Sequence, residues 1–173
     1  ELMNSSQGIH QFLRAYYHHK SADWSDNQPF TLTSWDAKIM AQMPTYYIMH
    51  HGQTMPETVA SEMPNEKQIK SCEWLTELEL QVYASEYSKN TFQGGLQWYR
   101  CATEGINQPA LSLFAGQRIL VPTLFLSGKN DWGIYQTPGA MEHMRDQVCA
   151  SMEGIVLVDQ AGHWVQQEQS TAI

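Results

Sequence analysis

Apolar residues recur with a helical period through the first part of the chain. Between residues 5 and 19 they fall on one face of a predicted helix, and they are Ile9, Phe12, Leu13, Tyr16 and Tyr17. Ser34 is positioned to cap a second, short helix over residues 35–43, which Pro44 ends. Residues 45–64 contain turn-forming residues and predict a loop with short helical turns.

Further helices are predicted between Asn65 and residue 101. Asn65 can cap a helix through Trp74, and Thr76 with Glu79 forms a capping-box signature before a helix over residues 77–89. The side chains predicted on one side of that helix are Leu78, Val82, Tyr83 and Tyr87. Gly94–Gly95 predicts a tight turn that interrupts the helical pattern, which resumes over residues 96–101.

The pattern changes near residue 116 to strand, helix and strand. Residues 119–128 (ILVPTLFLSG) and 154–159 (GIVLVD) are continuous apolar runs, which are typical of buried parallel strands. A predicted helix over residues 139–148 separates them, and a terminal helix follows the loop AGHWVQQEQ. This order predicts a right-handed crossover unit of a parallel sheet.

Two parallel strands do not make an independent sheet, because both faces need covering and both edges need partners. No other part of the chain has the composition of a buried strand. We therefore expect the two strands to be the edge of a larger sheet whose other strands lie outside this sequence. The opening residues, ELMNSSQG, do not resemble a signal peptide or an initiator-Met start, and they also suggest a piece of a longer chain.

Composition and charge exclude several classes of partner. The net charge of −8 and the ten scattered basic residues argue against nucleic-acid binding. No apolar stretch approaches the roughly 20 residues that cross a bilayer. The three cysteines, Cys72, Cys101 and Cys149, are widely spaced, which predicts reduced, mostly buried thiols in an intracellular, cytoplasmic protein.

Three segments carry a resemblance to a known family: TFQGGLQWYR (91–100), LVPTLFLSGKNDWG (120–133) and AGHWVQQEQ (161–169). Together they resemble soluble epoxide hydrolases of the α/β-hydrolase superfamily, especially fungal members. The resemblance implies an α/β fold in which residues 1–115 are a helical lid and residues 116–173 the C-terminal segment of the core. The first 30 or so residues are also open to assignment as a connection between core and lid.

The same resemblance implies a set of site residues. Asp131 follows the first predicted strand, at the position of the catalytic acid, and His163 follows the second, at the position of the catalytic base. Tyr99 in LQWYR matches a lid tyrosine that hydrogen-bonds the epoxide oxygen, and either Tyr46 or Tyr47 matches a second one. The tryptophans expected to wall the substrate pocket are Trp98, Trp132 and Trp164. No cofactor or metal is implied.

These residue types suit the opening of an epoxide. Neutral phenols can donate hydrogen bonds to the alkoxide that forms as the ring opens. The family's nucleophile is an Asp carboxylate that forms an alkyl-enzyme ester, and a water deprotonated by the histidine then cleaves that ester. The acid orients the imidazole and stabilises its cation. Because the chain has six Trp, eight Tyr and nine Met, we expect small lipophilic substrates.

Several residues also have simpler interpretations. Asp159 is a rival acid, but it ends the second strand, where we expect it to cap or pair locally. The doublets His18–His19 and His50–His51 invite a metal site, yet adjacent side chains point apart, and we interpret them as structural or solvated. Tryptophans and tyrosines on helices are most often packing residues, which is the alternative for Tyr99 and the three tryptophans.

Three functions remain open at this stage. The oxyanion-hole motif and the nucleophile elbow, both in the N-terminal half of the family's core, have no counterpart in this sequence. We therefore expect a complementing N-terminal core chain or region as a partner, with a homo-oligomer also open, and no turnover by this chain alone. Haloalkane dehalogenases and lid-bearing esterases share the acid and the histidine and are the second hypothesis. A truncated, non-catalytic binding or assembly module is the third.

Overall fold

The computed structural model describes residues 1–173. The chain begins with a helical part, and a two-stranded parallel sheet follows it. The helices are α1 Gly8–His19, α2 Ala37–Met40, α3 Met55–Ala60, α4 Glu66–Ser71, α5 Glu77–Asn90, α6 Gln93–Thr103, α7 Gln108–Ser112, α8 Ala140–His143 and α9 Val165–Glu168. The strands are β1 Ile119–Gly128 and β2 Cys149–Val158. Short 3₁₀ turns lie at Leu2–Asn4 and Trp132–Ile134, and α8 continues as a π-helical turn over Met144–Val148.

The two strands pair in parallel, which confirms the predicted strand–helix–strand unit. The register runs from Ile119 opposite Cys149 to Gly128 opposite Val158, so β2 begins five residues before the predicted position. Large apolar side chains of both strands are exposed to solvent: Leu120, Val121, Leu124, Val156 and Leu157. The sheet is therefore only partly covered by the rest of the chain, as expected for part of a larger α/β sheet.

The main core lies between α1 and α5. Phe12 and Leu13 of α1 pack with Leu80 and Ala84 of α5 and with Val59 of α3. Leu80 and Val59 are fully buried. The α5 face differs from the predicted one, because Leu78 is 83% and Val82 64% exposed, while Tyr83 and Tyr87 do pack against this core.

Side-chain caps begin the four helices from α2 to α5. The predicted capping box of Thr76 and Glu79 is confirmed, and Asn65 caps α4, which ends at Ser71 rather than at Trp74. The prediction for Ser34 was wrong: Asp36 accepts the hydrogen bond from the Ile39 backbone N–H and caps α2. A carboxylate at the N-cap, directly before the first helical residue, competes well with a hydroxyl for these backbone donors.

The predicted interruption at Gly94–Gly95 was also wrong, because both glycines lie in the first turn of α6. The break between α5 and α6 falls instead at Thr91, which has a φ of 60°. Cys101 is exposed, Cys72 half-buried and Cys149 buried, and all three are free, so the thiols are not mostly buried as predicted.

Candidate active site

Asp131 lies in the tight turn that follows β1. Its backbone N–H donates to Gly128 O at 3.1 Å, and its side chain accepts from the Gly133 N–H at 2.9 Å. The neighbouring Asn130 N–H donates to Ala161 O at 2.8 Å, which ties this turn to the loop after β2. The turn therefore presents the carboxylate toward the loop that carries His163.

His163 lies in the loop between β2 and α9, and this loop packs directly on the segment after α1. The His163 N–H donates to Lys20 O at 3.0 Å. A Cβ on Gly162 would lie 2.6 Å from the same Lys20 O and 2.8 Å from Ala22 N, so the two backbones touch. Only glycine allows this approach without moving the main chain.

The structure brings Asp131 and His163 together. His163 Nδ1 lies 3.2 and 3.3 Å from the two carboxylate oxygens of Asp131. Burial raises the pKa of Asp131, but the hydrogen bonds from His163 and Gly133 outweigh it and hold that pKa below its usual value. The carboxylate is thus ionised at neutral pH and holds the imidazole with Nδ1 as donor, which leaves Nε2 without a partner in the chain.

Tyr46 and Tyr47 lie side by side near this pair, with ring centroids 4.6 Å apart. Tyr46 is buried against His19, at 4.8 Å between rings. Burial raises the pKa of each phenol, and the charge of Asp131 raises both further. Both phenols are therefore neutral hydrogen-bond donors at working pH, and the structure does not single out one of them.

Tyr99 and Trp98 lie on α6, apart from the Asp131–His163 pair. Tyr99 is 64% exposed, yet it is near enough to Tyr16 and Tyr47 to raise the pKa of both phenols, after the larger effect of burial. Trp98 is 80% exposed and makes no aromatic contact with the other predicted site residues.

The two loop tryptophans have different environments. Trp132 is buried against Leu32, Met43 and Tyr46, and its indole N–H has no hydrogen-bond partner. Trp164 is half-buried and its indole N–H donates to Tyr17 O at 2.9 Å. The Trp164 ring lies 4.8 Å from the His163 ring, nearly perpendicular to it. Trp164 thus contacts the candidate base directly, whereas Trp132 packs beneath Tyr46.

Asp159, the rival acid, forms an exposed ion pair with Lys129 at 2.8 Å. This is the local pairing predicted for it. No group of three or more His, Cys, Asp or Glu side chains is arranged to hold a metal ion. Across all of its helices, none is long and apolar enough to cross a membrane.

The sequence did not indicate Lys20, which the structure places among four aromatic rings. Its Nζ lies 5.3 Å from the Tyr16 ring centroid, 5.4 Å from those of Tyr46 and Trp164, and 5.7 Å from that of Tyr47. The ammonium also donates to Tyr16 Oη at 3.4 Å. Burial lowers the pKa of Lys20 to about 8. A lysine directly after an aromatic helix face gives no local signal of such a cage, which is built by rings from three separate segments.

Comparisons with known proteins agree with this geometry. Epoxide hydrolase A of Mycobacterium tuberculosis is 35% identical over 99 residues, which are 56% of this chain and 28% of that protein. Epoxide hydrolase 2 of Siraitia grosvenorii is 28% identical over 131 residues, 69% of this chain and 40% of that protein. The chain thus spans less than half of the curated relatives it matches. No protein-family model matches it.

Solved structures show the same partial overlap. A mutant of potato epoxide hydrolase superimposes on 96% of this chain and 44% of its own, with a TM-score of 0.65 and 23% identity. An epoxide hydrolase from Vigna radiata covers 99% of this chain and 43% of its own, with a TM-score of 0.61 and 19% identity. These likenesses establish the fold of one part of an α/β-hydrolase. In sequence the chain is similar to part of several epoxide hydrolases, and its fold is that of one part of an α/β-hydrolase.

Proposed function

We propose that this chain supplies the acid–histidine pair and the oxygen-binding tyrosines of an enzyme that hydrolyses small lipophilic epoxides to diols. The observation that carries the proposal is the contact of His163 Nδ1 with the Asp131 carboxylate at 3.2 Å, with Nε2 left unpaired. An imidazole held in this way can take a proton from water on its free nitrogen. The sequence likeness to several epoxide hydrolases supports the choice of substrate class.

The proposed reaction has two stages. A carboxylate nucleophile outside this chain attacks an epoxide carbon, the C–O bond breaks, and Tyr99 with Tyr46 or Tyr47 hydrogen-bonds and protonates the alkoxide. His163 Nε2 then takes a proton from a water that attacks the resulting ester. The ester breaks down to the diol and the free carboxylate, and the proton taken up by His163 passes to the tyrosinate, which restores both groups. Asp131 stabilises the imidazolium during this step, and the raised pKa of Tyr46 and Tyr47 suits them to donate while neutral.

Residues 1–115 act as the lid and residues 116–173 as the C-terminal core segment in this proposal. The nucleophile and the remaining strands come from a complementing N-terminal core chain or region. The exposed apolar residues of β1, among them Leu120 at 77% and Leu124 at 60%, support a sheet that continues beyond this chain. The chain alone is then inactive. Three free cysteines support a reducing, cytoplasmic setting for the assembled enzyme.

A second candidate is a haloalkane dehalogenase on the same fold. The Trp132 indole N–H, next to Asp131 in sequence, is buried and has no hydrogen-bond partner. A buried N–H donor of this kind is what a departing halide requires. In this case the same chain, complemented in the same way, releases halide from a 1-haloalkane and does not convert epoxides.

The proposal is tested with this chain co-produced with an N-terminal α/β-hydrolase core segment that carries an Asp elbow. We expect diol formation from a lipophilic epoxide such as styrene oxide, and loss of at least about 10³-fold of that rate in His163→Gln. His51→Gln, which changes an exposed histidine, is the matched control and should keep the full rate. Full activity of His163→Gln would overturn the proposal, and halide release without diol formation would favour the second candidate.

Native mass spectrometry of the active species identifies whether it is this chain with a complement, a homo-oligomer or a longer single chain.

A further inference from the structure

One carboxylate holds the backbone on both sides of His163. Glu168 Oε2 accepts the Gly162 N–H at 2.9 Å, and Glu168 Oε1 accepts the Trp164 N–H at 2.9 Å. The His163 N–H between them donates to Lys20 O at 3.0 Å. Three consecutive amides therefore have fixed acceptors, and Glu168 supplies two of them.

The same carboxylate also reaches the segment after α1. Glu168 Oε2 accepts the Ala22 N–H at 2.7 Å, so one oxygen bonds both the His163 loop and the chain that this loop packs against. The two backbones already touch at Gly162, where a side chain has no room. Glu168 therefore hydrogen-bonds both sides of this contact with one carboxylate.

The carboxylate has no cationic partner, and its charge is balanced by three backbone N–H groups. Burial raises the pKa of Glu168, while the hydrogen bonds from Ala22, Gly162 and Trp164 act in the opposite direction. Partial burial of a charge without an ion pair costs free energy unless its oxygens are well hydrogen-bonded. A neutral side chain of the same size could fill this space at lower cost, but it could not accept all three amides.

We propose that Glu168 is a positioning residue that keeps the His163 imidazole against Asp131. The inference rests on the proposed role of His163 as the base. A shift of the loop by even a fraction of an ångström would lengthen the distance between His163 Nδ1 and the Asp131 carboxylate, which is already 3.2 Å. Glu168 acts only through the backbone, and it does not touch the reacting atoms.

The test uses the Glu168→Gln variant of this chain, which keeps the size of the side chain and removes one of the two acceptor oxygens. The tautomer of neutral His163 is measured by ¹H–¹⁵N NMR of the imidazole at pH 8, and amide exchange is followed at Gly162 and Trp164. We expect the Nδ1–H form to predominate in the wild type and to lose population in Glu168→Gln. Exchange of at least one of the two amides should become roughly tenfold faster, as for the loss of one hydrogen bond to a charged group.

Asp159→Asn is the matched control, because it removes an exposed carboxylate near the same loop without touching these amides. It should leave both the tautomer and the exchange rates unchanged. An unaltered His163 tautomer in a folded Glu168→Gln variant, even with a lower stability, would overturn the proposal and leave Glu168 a simple tether. If that variant does not fold, amide exchange in the wild type tests the proposal instead. Amides of Gly162 and Trp164 that exchange far faster than the amides of α1 would then overturn the proposal. Neither readout involves epoxide turnover. A negative result for the role of Glu168 is therefore distinguishable from a negative result for the proposed function.

Discussion

Two regions of this molecule contain predicted site residues, and one region is buried whereas the other is exposed to solvent. We call residues 16–24 together with residues 160–168 the histidine junction, and residues 93–112 the α6–α7 segment. In the junction, His19 and Ser21 are fully buried and backbone touches backbone at Gly162. In the α6–α7 segment no side chain is buried, and Trp98 and Tyr99 are 80% and 64% exposed.

The difference shows which parts of the site this chain determines by itself. Hydrogen bonds and packing within the chain fix the position of His163 against Asp131. Tyr99 has no such support, although it carries an equally necessary role in the proposed reaction. Because apolar side chains exposed together usually mark a contact surface, we expect the final position of the α6–α7 segment to depend on the proposed complementing core. The following changes test this contrast, from the largest expected effect to the smallest.

Gly162→Ala should be the most damaging change, because its Cβ meets Lys20 O at 2.6 Å and Ala22 N at 2.8 Å. Backbone atoms cannot move aside as a flexible side chain can, so we expect a loss of about 3 kcal/mol or more in the free energy of unfolding. Urea unfolding of the purified chain measures this loss. Gly94→Ala in α6 is the control: with open space around it, the substitution should stabilise the helix by roughly 0.5–1 kcal/mol. Equal effects of the two substitutions would contradict the contrast.

Leu80→Ala and Leu78→Ala compare the two faces of α5. Leu80 is fully buried against α1, and we expect a loss of about 2–4 kcal/mol in the free energy of unfolding when its side chain is truncated. Leu78 lies two residues away and is 83% exposed, so its truncation should change that free energy by less than about 0.5 kcal/mol. The same urea titrations provide the measurement. A large loss for Leu78→Ala would mean that this face is covered in solution, for instance by a second copy of the chain.

Lys20→Met should stabilise the junction near neutral pH and not at high pH. Burial lowers the pKa of Lys20 from 10.5 to about 8, so the folded state binds this proton less tightly than the unfolded state. Stability from this group is therefore present above pH 10.5 and is lost as the pH falls toward 8, by at most on the order of 3 kcal/mol. Methionine keeps most of the contacts with the four rings and has no charge to desolvate.

Unfolding free energies at pH 7 and pH 10.5 measure this dependence for both proteins. We expect the unfolding free energy of Lys20→Met to be larger than that of the wild type at pH 7 and closer to it at pH 10.5. Lys89→Met, which changes an exposed lysine in α5, should show no such pH dependence. A difference in unfolding free energy between Lys20→Met and the wild type that does not shrink from pH 7 to pH 10.5 would show that the ammonium is not desolvated in the cage, because the buried tyrosines affect both proteins alike.

The contrast also explains what could be predicted from the sequence. The resemblance to epoxide hydrolases identified Asp131 and His163 as a pair, and the strand pattern agreed with it, because each follows a strand of one parallel unit and parallel strands end at the same edge. The contact of Lys20 with Trp164 and the bond from Ala22 to Glu168 could not be predicted, because each joins residues more than a hundred positions apart, with no local periodicity. Local rules failed at two places: Asp36 rather than Ser34 caps α2, and the helical pattern breaks at Thr91, with a φ of 60°, rather than at Gly94–Gly95.

Tyr99→Phe should have the smallest effect on stability and yet a large one on the proposed reaction. The Tyr99 side chain is 64% exposed and its hydroxyl has no hydrogen-bond partner in the chain, so we expect a change below about 0.5 kcal/mol in the free energy of unfolding. In the complemented enzyme the same substitution removes one of two donors to the alkoxide, which should lower kcat for a lipophilic epoxide by roughly 10²–10³-fold. Tyr135→Phe is the control, because its hydroxyl bonds only Lys129 O at 2.9 Å and should leave kcat unchanged. Unchanged kcat in Tyr99→Phe would remove Tyr99 from the proposed reaction, and the second oxygen-binding phenol would then be sought at Tyr16, whose hydroxyl accepts from Lys20 Nζ at 3.4 Å.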